Sequence, residues 1–155
     1  MPTDLVGFMM DAMPTPAPID PRGPRFNQAV LAVALLTGFL ADWRPVVPLF
    51  ALVLLAGAAF GPRYGPFLAL YAKVVRPRLG PPAELEDPRP PRFASALGVV
   101  VLTAGALAFA AGHPGIGWGL ALVVATLAGL SATTGICVGC ELYLVVARRR
   151  KVVAG

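Results

Sequence analysis

Cys137 and Cys140, the two cysteines of this chain, stand as Cys-x-x-Cys inside Thr134-Gly135-Ile136-Cys137-Val138-Gly139-Cys140-Glu141-Leu142-Tyr143. A thiolate is the reactive form of cysteine, and the free N–H groups at the start of a helix lower the pKa of a thiol held there. If Gly135 and Gly139 break one helix and Cys140 opens another, Cys137 becomes the attacking thiol and Cys140 the resolving thiol of a redox or sulfur relay. Gly135, Gly139, Glu141 and Tyr143 would frame the pair, although the Glu141 carboxylate disfavours a thiolate beside it. The competing reading makes both cysteines small residues for close helix packing. Glu rather than His follows the pair, which argues against c-type haem, and zinc would need a second Cys-x-x-Cys from a partner protomer. No metal or cofactor is expected.

A second candidate site is a set of four arginines. Ile19-Asp20-Pro21-Arg22-Gly23-Pro24-Arg25-Phe26-Asn27-Gln28-Ala29-Val30 recurs in register as Glu86-Asp87-Pro88-Arg89-Pro90-Pro91-Arg92-Phe93-Ala94-Ser95-Ala96-Leu97. Arg22, Arg25, Arg89 and Arg92 together would suit an anion such as a lipid headgroup or a sulfur oxyanion. Alternatively they anchor helix ends at the water boundary and set topology. Glu141 and Arg63 are a further expected pair near the same surface, and His113 reads as a solvated loop residue.

These residues must be positioned by helices in a membrane. Of the 155 residues 57% are hydrophobic, only 14% are charged, and the mean hydropathy is +0.73. From Phe93 to Cys140 no Asp, Glu, Lys or Arg occurs, a run longer than two crossings of about 20 residues each demand. The runs are continuously apolar rather than alternating, so helices satisfy the backbone there. The 17 Pro and 17 Gly mostly punctuate the spaces between runs. In a soluble protein the net charge of +5 would point to nucleic acid, but these basic residues flank membrane spans, and no nucleic-acid partner is expected.

The predicted fold is all-α: a polytopic bundle of four transmembrane helices built from two duplicated helical hairpins in parallel orientation. Helices are expected over Pro24–Ala41, Val46–Phe60, Pro91–Ala111 and Trp118 to about Thr134, with Trp43 as an interface anchor. In each repeat, Asp before Pro starts a turn and Pro suits the first helical turn. Gly57, Gly61 and Gly65 match Ser131, Gly135 and Gly139 at a constant offset, so the cysteines are what the second half has and the first lacks.

Residues 1–18 read as a disordered tail and 19–147 as the membrane domain. Within it lie a hairpin repeat over 19–66, a connector over 67–85 and a second hairpin repeat over 86–147. Residues 148–155 form a basic tail. Part of the connector, Phe67–Arg76, suits an amphipathic interfacial helix. Apart from Arg44, the basic residues fall on one side of the predicted spans, which puts both termini in the cytoplasm of a plasma-membrane protein. Membrane lipid is then one partner, and small-residue faces make a homodimer an expectation.

The paired Asp-Pro-Arg-x-Pro-Arg-Phe segments, the Gly61-Pro62-Arg63-Tyr64-Gly65-Pro66 turn and the Thr134–Tyr143 stretch resemble the bacterial integral membrane family named domain of unknown function 4395. The resemblance covers about Ile19 to Ala147. Members are common in actinobacteria and are sometimes encoded beside thioredoxin-like or sulfurtransferase-like proteins. The resemblance therefore implies thiol or sulfur handling with such a partner; a non-enzymatic membrane subunit or small transporter component with structural cysteines is the alternative.

Overall fold

A computed structural model describes residues 17–61 and 65–154. The expected N-terminal tail up to residue 16 lies outside the described residues, as does Arg63 with its expected pairing to Glu141. Among the described residues the chain is all-helical, with α1 over Arg22–Leu40 and α2 over Val46–Phe60. Between the halves, α3 (Pro66–Leu70), a π-helical turn (Tyr71–Val75) and α4 (Arg76–Leu79) run on as one bent rod. The second half has α5 over Arg89–Ala110, α6 over Pro114–Thr134 and α7 over Val138–Ala154.

The Asp-Pro-Arg segments start α1 and α5 by the same bond. Asp20 Oδ1 accepts from the Arg22 N–H at 2.9 Å, and Asp87 Oδ1 accepts from the Arg89 N–H at 2.9 Å. Each carboxylate thus satisfies an N–H that a helix start would leave without a partner. Both helices begin about two residues before the expected position, and the following prolines occupy the first turn, where no N–H is required. Just upstream, Ile19 and Glu86 exchange both backbone hydrogen bonds, each 2.9 Å, as an isolated antiparallel bridge. Equivalent positions of the two segments are therefore bonded to each other.

α1 packs along α6, α2 along α5, and α5 also along α6, while α7 leans on α5. α1 and α2 touch far less than those pairs do, so each helix of the first half takes its main partner from the second half. The core between them includes Leu31, Leu35, Val47, Phe50, Leu54, Leu102, Val124 and Ala128, with Leu35, Val47 and Leu102 wholly buried. At the end remote from the cysteines, Trp118 Nε1 donates to Asp42 Oδ1 at 3.0 Å, tying the α1–α2 turn to the start of α6. Phe39 and Phe109 meet the Trp118 ring edge-on at 5.5 and 5.1 Å.

The outer faces are apolar as well. Val33 and Leu52 are 64% exposed, and Val100 and Leu107 are 66% exposed. α5 and α6, with 22 and 21 residues, are each long and apolar enough to cross a bilayer, about 30 Å at 1.5 Å per residue. α2 is a shorter apolar helix of 15 residues.

Candidate functional site

α6 stops because Gly135 turns left-handed, at φ 76°, and its N–H closes onto Ser131 O at 3.0 Å. A side chain at this φ would be strained, so glycine suits the position. Thr134 reinforces the stop: its hydroxyl donates to Leu130 O at 2.7 Å and accepts from the Ile136 N–H at 3.2 Å. Two residues later the chain is helical again. Cys137 O accepts the Glu141 N–H at 2.9 Å, the first bond of α7, and Cys137 Sγ accepts the Cys140 N–H at 3.4 Å. Cys137 therefore occupies the N-cap of α7, its sulfur standing where Ser, Thr or Asp usually supplies an oxygen.

Gly139 lets this new helix start against α5. A Cβ there would lie 2.7 Å from Ala94 Cβ and 2.9 Å from Ala94 Cα, too close for any side chain. One turn on, buried Tyr143 meets Phe93 with ring centroids 5.7 Å apart. Gly135 ends α6, but α7 opens at Val138 rather than at the expected Cys140, so Gly139 lies within its first turn instead of breaking a helix, with Glu141 closing its first bond and Tyr143 packed one turn on.

The arginines divide between helix ends. Arg92 Nε and Nη2 donate to Ala58 O at 3.1 and 2.9 Å, and Nη2 also donates to Ala59 O at 3.0 Å, so this guanidinium caps α2. Arg25, its counterpart, lies over the last turn of α6, where a Cβ on Gly135 would stand 2.7 Å from Arg25 Nη2. A helix C-terminus carries exposed carbonyls and partial negative charge, which favours cations there. Arg89 Nε stands 4.0 Å from Asp87 Oδ1, and Arg22 contributes its backbone N–H to Asp20.

A family model described as domain of unknown function (DUF4395) matches residues 19–148. The chain belongs to this family. No curated protein and no solved structure matches it.

In this DUF4395 chain the two thiols, both half-buried and free, have opposite acidities. The Cys137 thiol is brought down from 9.0 to about 6, chiefly because Cys140 donates its S–H to it. Burial opposes the shift, while the Cys140 N–H, the Ser131 hydroxyl and the Gly139 N–H support it. The Cys140 thiol is pushed up, first by that same hydrogen bond and then by burial, with the negative charges of Cys137, Glu86 and Glu141 adding to it. Glu141 thus adds to the rise at Cys140 and is not among the groups that shift Cys137.

Cys137 also borders a cavity of about 280 Å³ between the helices. Its walls are mostly apolar, including Leu31, Leu54, Val101 and Val124, and its polar lining is Gln28, Ser95 and Ser131 together with the thiol. Sequence reasoning gave Gln28 and Ser95 no role and took Ser131 as a mere small residue. The available signal was that uncharged polar side chains within apolar helices face protein rather than lipid. The described residues hold no group of three His, Cys, Asp or Glu able to bind a metal ion.

Proposed function

We propose that the protein is a plasma-membrane bundle of four transmembrane helices in which Cys137 and Cys140 exchange thiols and disulfides with a cytoplasmic thioredoxin-like or sulfurtransferase-like protein. The observation that carries this reading is the Cys137 sulfur at the N-cap of α7, 3.4 Å from the Cys140 N–H. A thiol merely filling space has no need of a helix start beneath it, whereas an attacking thiolate is stabilised there. In the reaction, Cys137 thiolate attacks one sulfur of the partner's disulfide, forming a mixed disulfide and releasing the partner's other sulfur as thiolate. Cys140 then gives its proton to that thiolate and attacks Cys137 Sγ. The second partner thiolate leaves, the partner is reduced, and Cys137–Cys140 becomes the disulfide.

Duplication of a hairpin belongs to the same proposal. It is supported by the Ile19–Glu86 bridge, the matching Asp20 and Asp87 turns, and the matching rings of Phe26 on Tyr71 and Phe93 on Tyr143, each at 5.7 Å. The reciprocal packing of α1 on α6 and α2 on α5, with Arg25 and Arg92 on the ends of the opposite repeat's helices, supports it further. The reading of the cysteines as packing residues draws on one observation, the close approach of Gly139 to Ala94.

Substitution separates the two. With a soluble disulfide such as oxidised glutathione, the reduced wild type is expected to form a mixed disulfide that resolves to Cys137–Cys140. Cys140→Ser is expected to trap the mixed disulfide on Cys137, and Cys137→Ser to form almost none. Equal behaviour of the two variants, or no exchange by the folded wild type, overturns the proposal.

A further inference from the structure

A dithiol that is oxidised by its protein partner in one cycle and reduced in the next needs no chamber, because thiol exchange happens at the surface. Yet Cys137 borders a half-open apolar cavity of about 280 Å³, larger than an enclosed apolar cavity of roughly 150 Å³ that accepts benzene. The cavity is bounded on its inner side by buried Leu31, Leu54 and Ala128 and on its outer side by exposed Val123 and Leu142. Exposed apolar side chains at the rim of a bundle lying in lipid make a lateral mouth towards the bilayer. A ligand arriving that way is lipophilic. The polar lining of Gln28, Ser95 and Ser131 offers amide and hydroxyl groups to a ligand that also carries hydrogen-bond acceptors.

We propose that this cavity receives the ring of a membrane-soluble quinone, which takes two electrons from the Cys137–Cys140 dithiol. The inference rests on the thiol-exchange reading, run in the opposite direction: a dithiol of the partner reduces the Cys137–Cys140 disulfide through the same mixed disulfide, and the quinone accepts the two electrons from the regenerated dithiol. Cys137 thiolate adds to a ring carbon, forming a C–S bond, and the electron pair displaced onto a ring oxygen takes from water the proton that Cys137 gave up on ionising. Cys140 Sγ then attacks Cys137 Sγ, forming the S–S bond. The C–S bond breaks with its electron pair returning to the ring, and the Cys140 proton ends on the second ring oxygen. One dithiol and one quinone become one disulfide and one hydroquinone. Dithiols are stronger reductants than hydroquinones, so the electrons run from protein to ring.

The test uses the full chain, reduced, in phosphatidylglycerol vesicles loaded with 2,3-dimethyl-1,4-naphthoquinone, whose blocked ring positions suppress non-specific arylation. The expected result is loss of two thiols per quinone reduced. Two variants fill the site from different sides: Ala128→Phe from the buried wall and Leu142→Trp at the rim. Each is expected to slow quinone-dependent oxidation at least tenfold while exchange with oxidised glutathione stays within twofold of wild type, which also reports that the variant is folded. Quinone oxidation at the wild-type rate in a variant that keeps glutathione exchange overturns the cavity assignment. Absence of quinone oxidation with glutathione exchange intact overturns the acceptor alone. Failure of both reactions in the wild type overturns the thiol-exchange reading and this inference with it.

Discussion

At a helix N-cap, oxygen is the usual acceptor because Ser, Thr, Asp and Asn place it within reach of the N–H groups of the first turn. Cys137 puts a sulfur there instead, and a neutral thiol accepts only weakly while a thiolate accepts strongly. Ionisation of Cys137 is therefore coupled to the start of α7. Iodoacetamide alkylation of the reduced protein is expected to follow a titration centred near pH 6 and to involve Cys137 alone, as Cys140 keeps its proton. Ser131→Ala removes one donor and should move the midpoint upward; a midpoint near 9 in the wild type refutes the arrangement. Stability follows with a definite sign. Between about pH 6 and 9.0 the folded chain holds a thiolate where the unfolded chain holds a thiol, so the unfolded chain binds more protons and stability rises with pH. Below pH 6 that contribution is lost, and above pH 9 the raised Cys140 reverses the slope. Thermal unfolding of the reduced protein in detergent should show the rise, and Cys137→Ser should abolish it.

Helix ends matter here as much as helix faces. Arg92 donates three hydrogen bonds to the last carbonyls of α2, and hydrogen bonds from a charged donor contribute roughly 1.5–3 kcal/mol each where water is excluded and less where, as here, solvent reaches part of the site. Arg92→Ala is expected to destabilise the bundle by about 1–3 kcal/mol, with Arg92→Lys recovering part of it, because a lysine lacks the planar fork that spans two carbonyls. Equilibrium unfolding in mixed micelles free of anionic lipid measures this. A loss that appears only when anionic lipid is present would instead favour the headgroup role for the arginines. Much at this scale was legible in the sequence: the paired Asp-Pro-Arg segments fix where α1 and α5 begin, and the turns after Leu40 and Ala110 lie within a residue or two of expectation. Partner choice was not. Continuously apolar helices carry no periodic face to mark a neighbour, so the pairing of α2 with α5 rather than with α1 has no signature in the residues. Nor does the sequence show that Tyr71, at the start of the π-helical turn Tyr71–Val75, donates its hydroxyl to the Asp20 carboxylate at 3.1 Å, a contact across distant parts of the chain. Similarly, Cys-x-x-Cys and its bracketing glycines were visible, but the Ser131 contact and the cavity arise only once α6 has ended and α7 has folded back on α5.

For the molecule as a whole, the distribution of charge and apolar surface argues for an orientation. Arg22, Arg25, Arg89 and Arg92 open α1 and α5 at the end where α2 and α6 finish, as the contacts of Arg92 with Ala58 and of Arg25 with Gly135 require. Arg44 stands at the opposite end, 5.9 Å from the Phe109 ring, beside the Asp42–Trp118 hydrogen bond. Between the two ends the outward faces are apolar, a surface that water would penalise by about 25 cal/mol for every Å² left exposed. A bilayer removes that penalty, and the excess of arginine and lysine at the cysteine end is the ground for the proposed orientation, with that end in the cytoplasm. His113, in the exposed turn between α5 and α6, supplies the test of this orientation. In a Cys137→Ser, Cys140→Ser background carrying His113→Cys, a membrane-impermeant maleimide is expected to label intact cells fully. In the otherwise native chain the same reagent is expected to reach Cys137 only after permeabilisation. Labelling of Cys137 in intact cells with protection at position 113 would invert the protein in the membrane and move any thiol partner to the opposite side. Recovery of the unlabelled chain in the soluble fraction after cell breakage would remove the bilayer, and with it the lateral entry on which the quinone site depends.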